Sequence, residues 1–173
     1  VEECVVFDID NTLFDSRERF DVVARRFGII SPRELPFEIQ KEFWKSYMDP
    51  ALLSLDRPIA RAVEMAVLAR RRGLKVIIIT GRYERLRADT VTQLVQAGVP
   101  FDALIMRPED NYQEDRDLKP FLVRRIRCNV VEYHDDDLDT LLEIGKMFPR
   151  ALLFLHRPDG TFDIIQQENR KGH

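Results

Sequence analysis

Cys4-Val5-Val6-Phe7-Asp8-Ile9-Asp10-Asn11-Thr12 opens with four apolar residues and stops at a carboxylate, with a second carboxylate two positions on and a threonine after that. A short apolar run bounded by polar, turn-forming residues predicts a strand buried on both faces, the kind found in parallel sheets covered by helices. Two carboxylates spaced i, i+2 on an extending chain lie on the same side, where both would repel if ionised without a partner. The partners that relieve this are a divalent cation and a nearby lysine.

Outward from that run, apolar segments alternate with amphipathic ones. A helix is predicted over 58–72, with Ile59, Ala62, Val63, Ala66 and Val67 on one face, Asp56 as N-cap, Pro58 in the first turn and Gly73 at its end. Then come a strand over 74–79, a helix over 84–97 closed by Gly98, a strand over 101–106 and a helix over 118–127. Strand, helix and strand follow over 129–133, 138–147 and 151–155, and Arg157-Pro158-Asp159-Gly160 reads as a turn into a terminal hairpin strand. This alternation predicts an α/β fold, a Rossmann-like three-layer α/β/α sandwich with a parallel central sheet and ligand chemistry at the carboxyl ends of its strands.

Residues 15–55 break the alternation. They offer two helices, 16–27 and 37–48, and are read as a small helical cap inserted after the first strand, the core being 1–14 and 56–173. The aromatic residues Phe37, Phe43, Trp44 and Tyr47 are assigned to packing within it, and Arg17, Arg19, Arg25, Arg26 and Lys45 to a solvated helix face.

Four features fall at strand or helix edges that a parallel sheet gathers into one crevice: Asp8 to Thr12, Thr80-Gly81-Arg82, Lys119 opening a helix, and Asp135-Asp136-Asp137. Each alone has an ordinary reading, as an Asx turn, a helix-entry turn, a solvated lysine with Arg116 and Arg124 as rivals, or an N-terminal turn favoured by the helix dipole. Their joint order is what carries information.

That combination resembles the haloacid dehalogenase-like (HAD) superfamily of phosphohydrolases over essentially the whole chain. The resemblance implies that Asp8 attacks phosphorus and becomes an aspartyl-phosphate, while Asp10 protonates the leaving oxygen and then activates water. It implies Mg²⁺ held by Asp8, the Asp10 carbonyl and Asp135, with Asp136 or Asp139 assisting. Thr80, Lys119 and backbone amides near Asn11 and Gly81 would contact the phosphoryl oxygens, with Thr12 and Arg82 completing the phosphate site. Leu104 to Pro108, Asp110, Asp117, Lys119 and the doubled aspartate at 135 and 136 further resemble the phosphatase domain of phage-type polynucleotide kinase-phosphatases, which places Arg107 near substrate. The chain departs from that group in having Asn11 where Gly is commoner, a longer stretch between Thr12 and Thr80, and no kinase P-loop.

The reading is therefore a phosphomonoesterase, with nucleotides, sugar phosphates and 3'-phosphorylated polynucleotide ends as candidate substrates. A phosphotransferase or mutase using the same aspartyl-phosphate, and a non-catalytic phosphate-binding module, are the alternatives. The seven glycines form neither a GxGxxG nor a Walker loop, and no arginine stands six positions after either cysteine, which removes nucleotide-cofactor folds of those kinds and a cysteine phosphatase. His134, His156 and His173 have no zinc-site spacing, and His134 is assigned a structural role. A formal net charge of -3 argues against a dedicated duplex-DNA binder, and no apolar run is long enough to span a membrane. Cys4 and Cys128 sit in separate apolar stretches and are read as free thiols, which points to a reducing cytoplasm. A polar tail over 166–173 carries no repeat, and the sequence does not bear on oligomeric state.

Overall fold

The structure, a computed structural model, describes residues 1–167. His173 and most of the polar tail lie outside the described residues. The first strand, β1 (Glu3–Phe7), is followed by a two-residue strand β2 (Phe14–Asp15), helices α1 (Arg17–Phe27) and α2 (Phe37–Tyr47), and a strand β3 (Arg57–Pro58) antiparallel to β2. Then come α3 (Ala60–Arg71), β4 (Lys75–Tyr83), α4 (Arg87–Gln96), β5 (Ala103–Arg107), α5 (Asp115–Val123), β6 (Asn129–Asp135), α6 (Leu138–Met147), β7 (Leu152–His156) and β8 (Phe162–Ile165).

The main sheet has the order β5-β4-β1-β6-β7-β8, parallel except for β8. β1 lies inside it, paired along one edge with β4 and along the other with β6, and helices cover both its faces. Side chains alternate accordingly: Val5 and Phe7 join the core under α3 and α4, whereas Cys4 and Val6 join the core under α5 and α6. Small residues Ala62, Ala66 and Ala69 form the buried stripe of α3, and their size lets the helix lie close to the sheet. This is the expected three-layer α/β/α arrangement.

Several boundaries differ from expectation for identifiable reasons. α5 begins at Asp115, so Lys119 lies in its second turn and not at its start; Asp115 and Asp117 supply the acidic first turn that the helix dipole favours. β4 runs on through Gly81 and Arg82 to Tyr83, because Thr80 pairs with Met106 and Tyr83 with Arg107, leaving two extra residues as an irregularity in the strand. Asp56 does not cap α3. The cap position is Ile59, which makes no side-chain cap bond, and the Asp56 side chain turns inward.

The free-thiol reading is wrong. Cys4 and Cys128 form a disulfide, with Cα atoms 5.9 Å apart. Parallel pairing puts Glu3 beside Asn129 and Cys4 beside Val130, so the residue just before β6 meets the start of β1. The 124-residue separation hides this proximity, since local context reports each cysteine only as a buried apolar residue. The argument for a reducing compartment loses the thiols on which it rested. Among the described residues, no helix is long and apolar enough to cross a membrane.

Candidate active site

The carboxyl ends of β1 and β4 and the residue after β6 deliver Asp8, Thr80 and Asp136 to one cleft of about 640 Å³, with Asp135 buried beside them, and its other walls come from α1, α2 and the loop after β5. Asp8 is held at the end of β1 by its own amide, which donates to the His134 carbonyl at 2.9 Å. The chain then turns back on itself: the amides of Thr12, Leu13 and Phe14 all donate to the Ile9 carbonyl. Asn11 takes a left-handed conformation, φ 62°, to make this turn. Asparagine tolerates that region better than most residues, which is why it can replace glycine here.

Two sets of charges meet at this turn. In the first, Lys119 Nζ lies 3.0 Å from Asp8 Oδ1 and 2.7 Å from Asp135 Oδ2, all three groups being buried. Asp135 Oδ1 also accepts the Asp137 amide at 3.0 Å, and Thr12 Oγ1 donates to Asp8 Oδ2 at 3.2 Å. Asp136 completes a cluster with Asp8 and Asp135 in which one ligand oxygen from each lies within 4.8 Å of the others. Three carboxylates thus face one ammonium. Burial and the neighbouring Asp135 push the Asp8 carboxyl up to about 7, against the opposing pull of Lys119. Asp136 is raised as well, by desolvation at the cleft floor and by Asp8 and Asp135 beside it, although its side chain opens to solvent. Burial opposes the charge on Lys119, but Asp135, Asp8 and Asp115 hold it well above the usual lysine range.

The second set is balanced. Arg82 donates from Nε to Asp10 Oδ2 at 3.0 Å and from Nη2 to Asp10 Oδ1 at 2.8 Å, while Arg19 Nη2 and Ser16 Oγ, the latter at 2.7 Å, also reach Asp10 Oδ1. The same guanidiniums share Asp56: Arg19 Nε is 3.0 Å from Asp56 Oδ1 and Arg82 Nη2 is 3.0 Å from Asp56 Oδ2. Burial works against an ionised Asp10, yet Arg19 and Arg82 hold its carboxyl well below the usual range. Two carboxylates thus meet two guanidiniums, and no charge is left over.

The structure therefore brings Asp8, Thr80, Lys119, Asp135 and Asp136 together, with Asp10, Asn11 and Gly81 also lining the cleft. It separates others from it. Arg82 is fully buried, because the irregularity in β4 turns it back beneath Asp10, so it supports the cleft from behind and does not line it. Thr12 is likewise buried and touches Asp8. The Asp10 carboxylate faces the arginines and lies outside the three-carboxylate cluster, and the Asn11 amide is committed to the Phe14 carbonyl at 2.6 Å. Asp139 stands outside that cluster too, exposed and 3.9 Å from Arg116.

Arg107 lines the cleft but is already occupied. It donates to the Gly81 carbonyl at 2.8 Å, to Asn111 Oδ1 at 2.9 Å, to the Gln113 carbonyl at 2.6 Å and to Asp115 Oδ1 at 2.6 Å. Gly81 permits this approach, since a Cβ there would stand 2.6 Å from Asp115 Oδ1. His134 serves packing: it is stacked between Phe7 and Phe154, and its Nδ1 lies 2.7 Å from His156 Nε2.

Sequence reasoning missed three members of the site. Asp115 could have been found, since it stands four residues before Lys119 on one helix and lies 3.5 Å from it. Arg19 was assigned to a solvated face but is fully buried under the Tyr47 ring, its Nη1 donating to the Tyr47 carbonyl at 3.0 Å. Asp56 carried no local signal of its role. Of the aromatic residues assigned to packing, Phe43 and Tyr47 are buried, Tyr47 with an edge on the cleft, whereas Phe37 and Trp44 are exposed and line the cleft together with Tyr112.

Comparison with known proteins places this geometry in context. The sequence family described as HAD superfamily, subfamily IIIB (acid phosphatase) matches residues 2–119. No curated protein matches the sequence. A chain of the Pnkp1/Rnl/Hen1 RNA repair complex shares the fold with a TM-score of 0.62 at 18% identity, over 89% of this chain and 42% of that one. This chain thus spans less than half the length of that relative. The class C acid phosphatase from Bacillus anthracis with tungstate bound gives a TM-score of 0.57 at 12% identity, over 92% of this chain and 68% of that one. A HAD-superfamily hydrolase from Ehrlichia chaffeensis gives 0.52 at 17% identity, over 87% and 85% of the two chains.

Proposed function

The chain belongs to the HAD superfamily, subfamily IIIB, the acid phosphatases, and from that premise we propose a Mg²⁺-dependent phosphomonoesterase that works through an aspartyl-phosphate on Asp8. One observation carries the reading: three carboxylates, Asp8, Asp135 and Asp136, converge within 4.8 Å of one another, and the buried Lys119 beside them pairs with Asp8 and Asp135. With all three ionised the cluster is two positive charges short, which is the charge of one divalent cation. The donors are hard oxygens, the set Mg²⁺ prefers, so the residues fit the ion. Asp8, Asp135 and Asp136 would hold it, and when bound it supplies neutralising charge for the phosphoryl oxygens.

This chain's own residues do the rest. Lys119 fixes Asp8 through one carboxylate oxygen, Thr12 fixes it through the other, and attack on phosphorus proceeds from a carboxylate with few orientations to lose. Thr80 and Gly81, on the cleft wall, and Lys119 receive the phosphoryl oxygens. Asp10 is the group assigned to take a proton from the water that hydrolyses the intermediate, and because the two arginines that keep it ionised also weaken it as a base, it accepts that proton only as their grip relaxes. Its acid half-reaction, protonation of the leaving oxygen, requires the carboxylate to loosen from one guanidinium when substrate enters. Residues 15–55 act as a cap that sets access to the cleft.

The outer cleft favours a ring-bearing ester. Phe37, Trp44 and Tyr112 line it, and Lys41 Nζ sits 4.8 Å from the Phe37 ring and 4.9 Å from the Tyr112 ring. Exposed aromatic faces beside a cation suit a nucleobase and a neighbouring phosphate, either in a nucleotide or at a 3'-phosphorylated polynucleotide end, better than a sugar phosphate. Phosphate release from these three classes and an aryl phosphate, with Mg²⁺ or EDTA, tests the reading beside Asp8→Asn. The expected result is metal-dependent release that the variant loses. Substantial release by pure Asp8→Asn protein refutes the nucleophile, and acceptor-dependent turnover in place of hydrolysis would make the protein a phosphotransferase.

A further inference from the structure

Of the balanced charge set only Asp10 lines the cleft, and Asp56 is the carboxylate that stands behind it with the two arginines. Its side chain is fully buried, and every polar contact it makes is to a group that itself contacts Asp10 or supports one that does. Oδ1 accepts from Arg19 Nε at 3.0 Å; Oδ2 accepts from Arg19 Nη2 at 3.2 Å, from Arg82 Nη2 at 3.0 Å and from Gln93 Nε2 at 3.0 Å. Gln93 in turn accepts from Arg82 Nη1 through Oε1 at 2.7 Å, and Thr90 Oγ1 accepts from the same nitrogen at 3.2 Å.

We propose that Asp56 is a positioning residue for the reaction, acting through Arg19 and Arg82 to fix where the Asp10 carboxylate sits. The inference rests on the functional reading of Asp10 given above. A carboxylate gripped by two guanidiniums is oriented only as well as those guanidiniums are, and each of these comes from a different part of the chain: Arg19 from α1, Arg82 from the irregularity in β4. Asp56 binds both, sharing with Asp10 the Nη2 nitrogen of each, so the two planar forks cannot turn independently. Its place in the chain adds to this effect. Asp56 directly precedes β3, where the chain returns from the two helices to the core, so one residue ties the base of that helical segment to the strand irregularity behind Asp10.

Without the Asp56 charge, two guanidiniums are left to one carboxylate. Asp10 is then drawn toward them and away from the substrate, while substrate binding by Asp8, Thr80, Lys119 and the outer cleft is untouched. The signature is a fall in kcat with little change in KM.

The experiment compares Asp56→Asn with wild type using p-nitrophenyl phosphate and saturating Mg²⁺, with the folded fraction measured by circular dichroism at the assay temperature. A fall in kcat of about tenfold or more per folded molecule, with KM within about threefold, is expected. A kcat within twofold of wild type in folded protein overturns the proposal, as does a loss that disappears once the folded fraction is counted. Because removal of a buried charge can unfold the chain, Gln93→Met provides a milder arm. It removes one donor to Asp56 and one acceptor for Arg82 from a half-buried position, and a fall in kcat of about threefold is expected. Unchanged kcat in that variant counts against the proposal. The Asp10→Asn background provides a further check: there, adding Asp56→Asn should cost no more than about twofold, whereas a full multiplicative loss shows that Asp56 acts on the fold and overturns the assignment. Wild-type protein inert toward every phosphomonoester would remove the functional reading and this inference together; active wild type with an unimpaired Asp56→Asn removes this inference alone.

Discussion

Asp8→Asn should abolish turnover and yet stabilise the metal-free protein. The Asp8 carboxyl titrates at about 7 in the fold against 3.8 when unperturbed, because burial and Asp135 oppose its charge more than Lys119 favours it. A carboxyl raised in this way makes the folded state hold its proton more tightly than the unfolded state does. Stability is therefore greatest below the unfolded value, declines as pH rises from about 4 to about 7, and is flat above that. At about 1.36 kcal/mol per unit, ionised Asp8 costs the metal-free fold about 4 kcal/mol at pH 8. Asparagine mimics the protonated carboxyl and still offers Lys119 an oxygen, while the weakened bonds to Thr12 and Lys119 return about 1–2 kcal/mol of that. The net gain is about 2–3 kcal/mol, or roughly 5–10 °C in Tm for a chain of this size.

The assay is thermal unfolding of both proteins in EDTA at pH 5 and pH 8. The expected result is near-equal Tm at pH 5, where Asp8 is protonated in the wild type, and a higher Tm for the variant at pH 8. Mg²⁺ should narrow or reverse the gap at pH 8, since the ion stabilises only the protein that binds it. A variant Tm at or below wild type at pH 8 in EDTA would refute the argument that this cluster is short of positive charge, whatever the variant does to activity.

Three further outcomes follow from other charged or covalent features. Lys119→Met removes the only cation that, among the described residues, contacts both Asp8 and Asp135, and breaking a buried pair in this way should cost about 3–5 kcal/mol at pH 8 and less at pH 5, where the carboxyls can take up protons; equal losses at the two pH values in urea unfolding would count against it. The His156 ring is pushed down to about 3 by burial and by His134 next to it. Its neutral form thus stabilises the fold fully above about pH 6.5, and this is lost progressively as pH falls from there toward 3. His156→Gln should flatten the decline of the urea midpoint between pH 6.5 and 4.5, and an unchanged slope would refute this. Reduction of the Cys4–Cys128 bond releases a loop of 124 residues in separation, an entropic loss of at most about 5 kcal/mol, so Tm should fall on adding reductant. Two titratable thiols in denatured, unreduced protein would show that the bond does not form.

The alternation of strands and helices, the parallel sheet and the crevice were legible because they follow from hydrophobic period and from where polar residues interrupt it. The run from Cys4 to Phe7, the β-branched run before Thr80 and the run before Asp135 each lead into a residue of the site, and a parallel sheet leaves those ends no other place to converge. Helix starts were less legible. Pattern alone placed Lys119 at the head of its helix, but the acidic residues at 115 and 117 extend the helix toward its N-terminus through the dipole, and that turn is what carries Asp115 to Lys119 and Arg107. The disulfide needed the register of β1 against β6, which no local reading contains.

The balanced charge set shows where such reading stops for a physical reason. Arginine on an amphipathic helix is ordinarily solvated, and nothing in the neighbours of Arg19 argues otherwise. Its burial is tolerable only because Asp56, 37 positions away, and Asp10, nine positions back, accept its donors, while the Tyr47 ring stacks on it and the Tyr47 carbonyl takes another. Each of those partners would itself be costly to bury alone. The four charges are individually improbable and jointly stable, so a rule that scores residues one at a time misplaces every one of them except Asp10, whose motif identified it on other grounds. Lys119 is the contrasting case, since its carboxylates were expected at strand ends before any lysine was assigned to them. A buried cation is thus predictable from sequence when its anions are fixed by the fold's own topology. It is not predictable when, as with Arg19, one of its anions lies just before β3, at the end of a helical segment whose path the main sheet does not dictate.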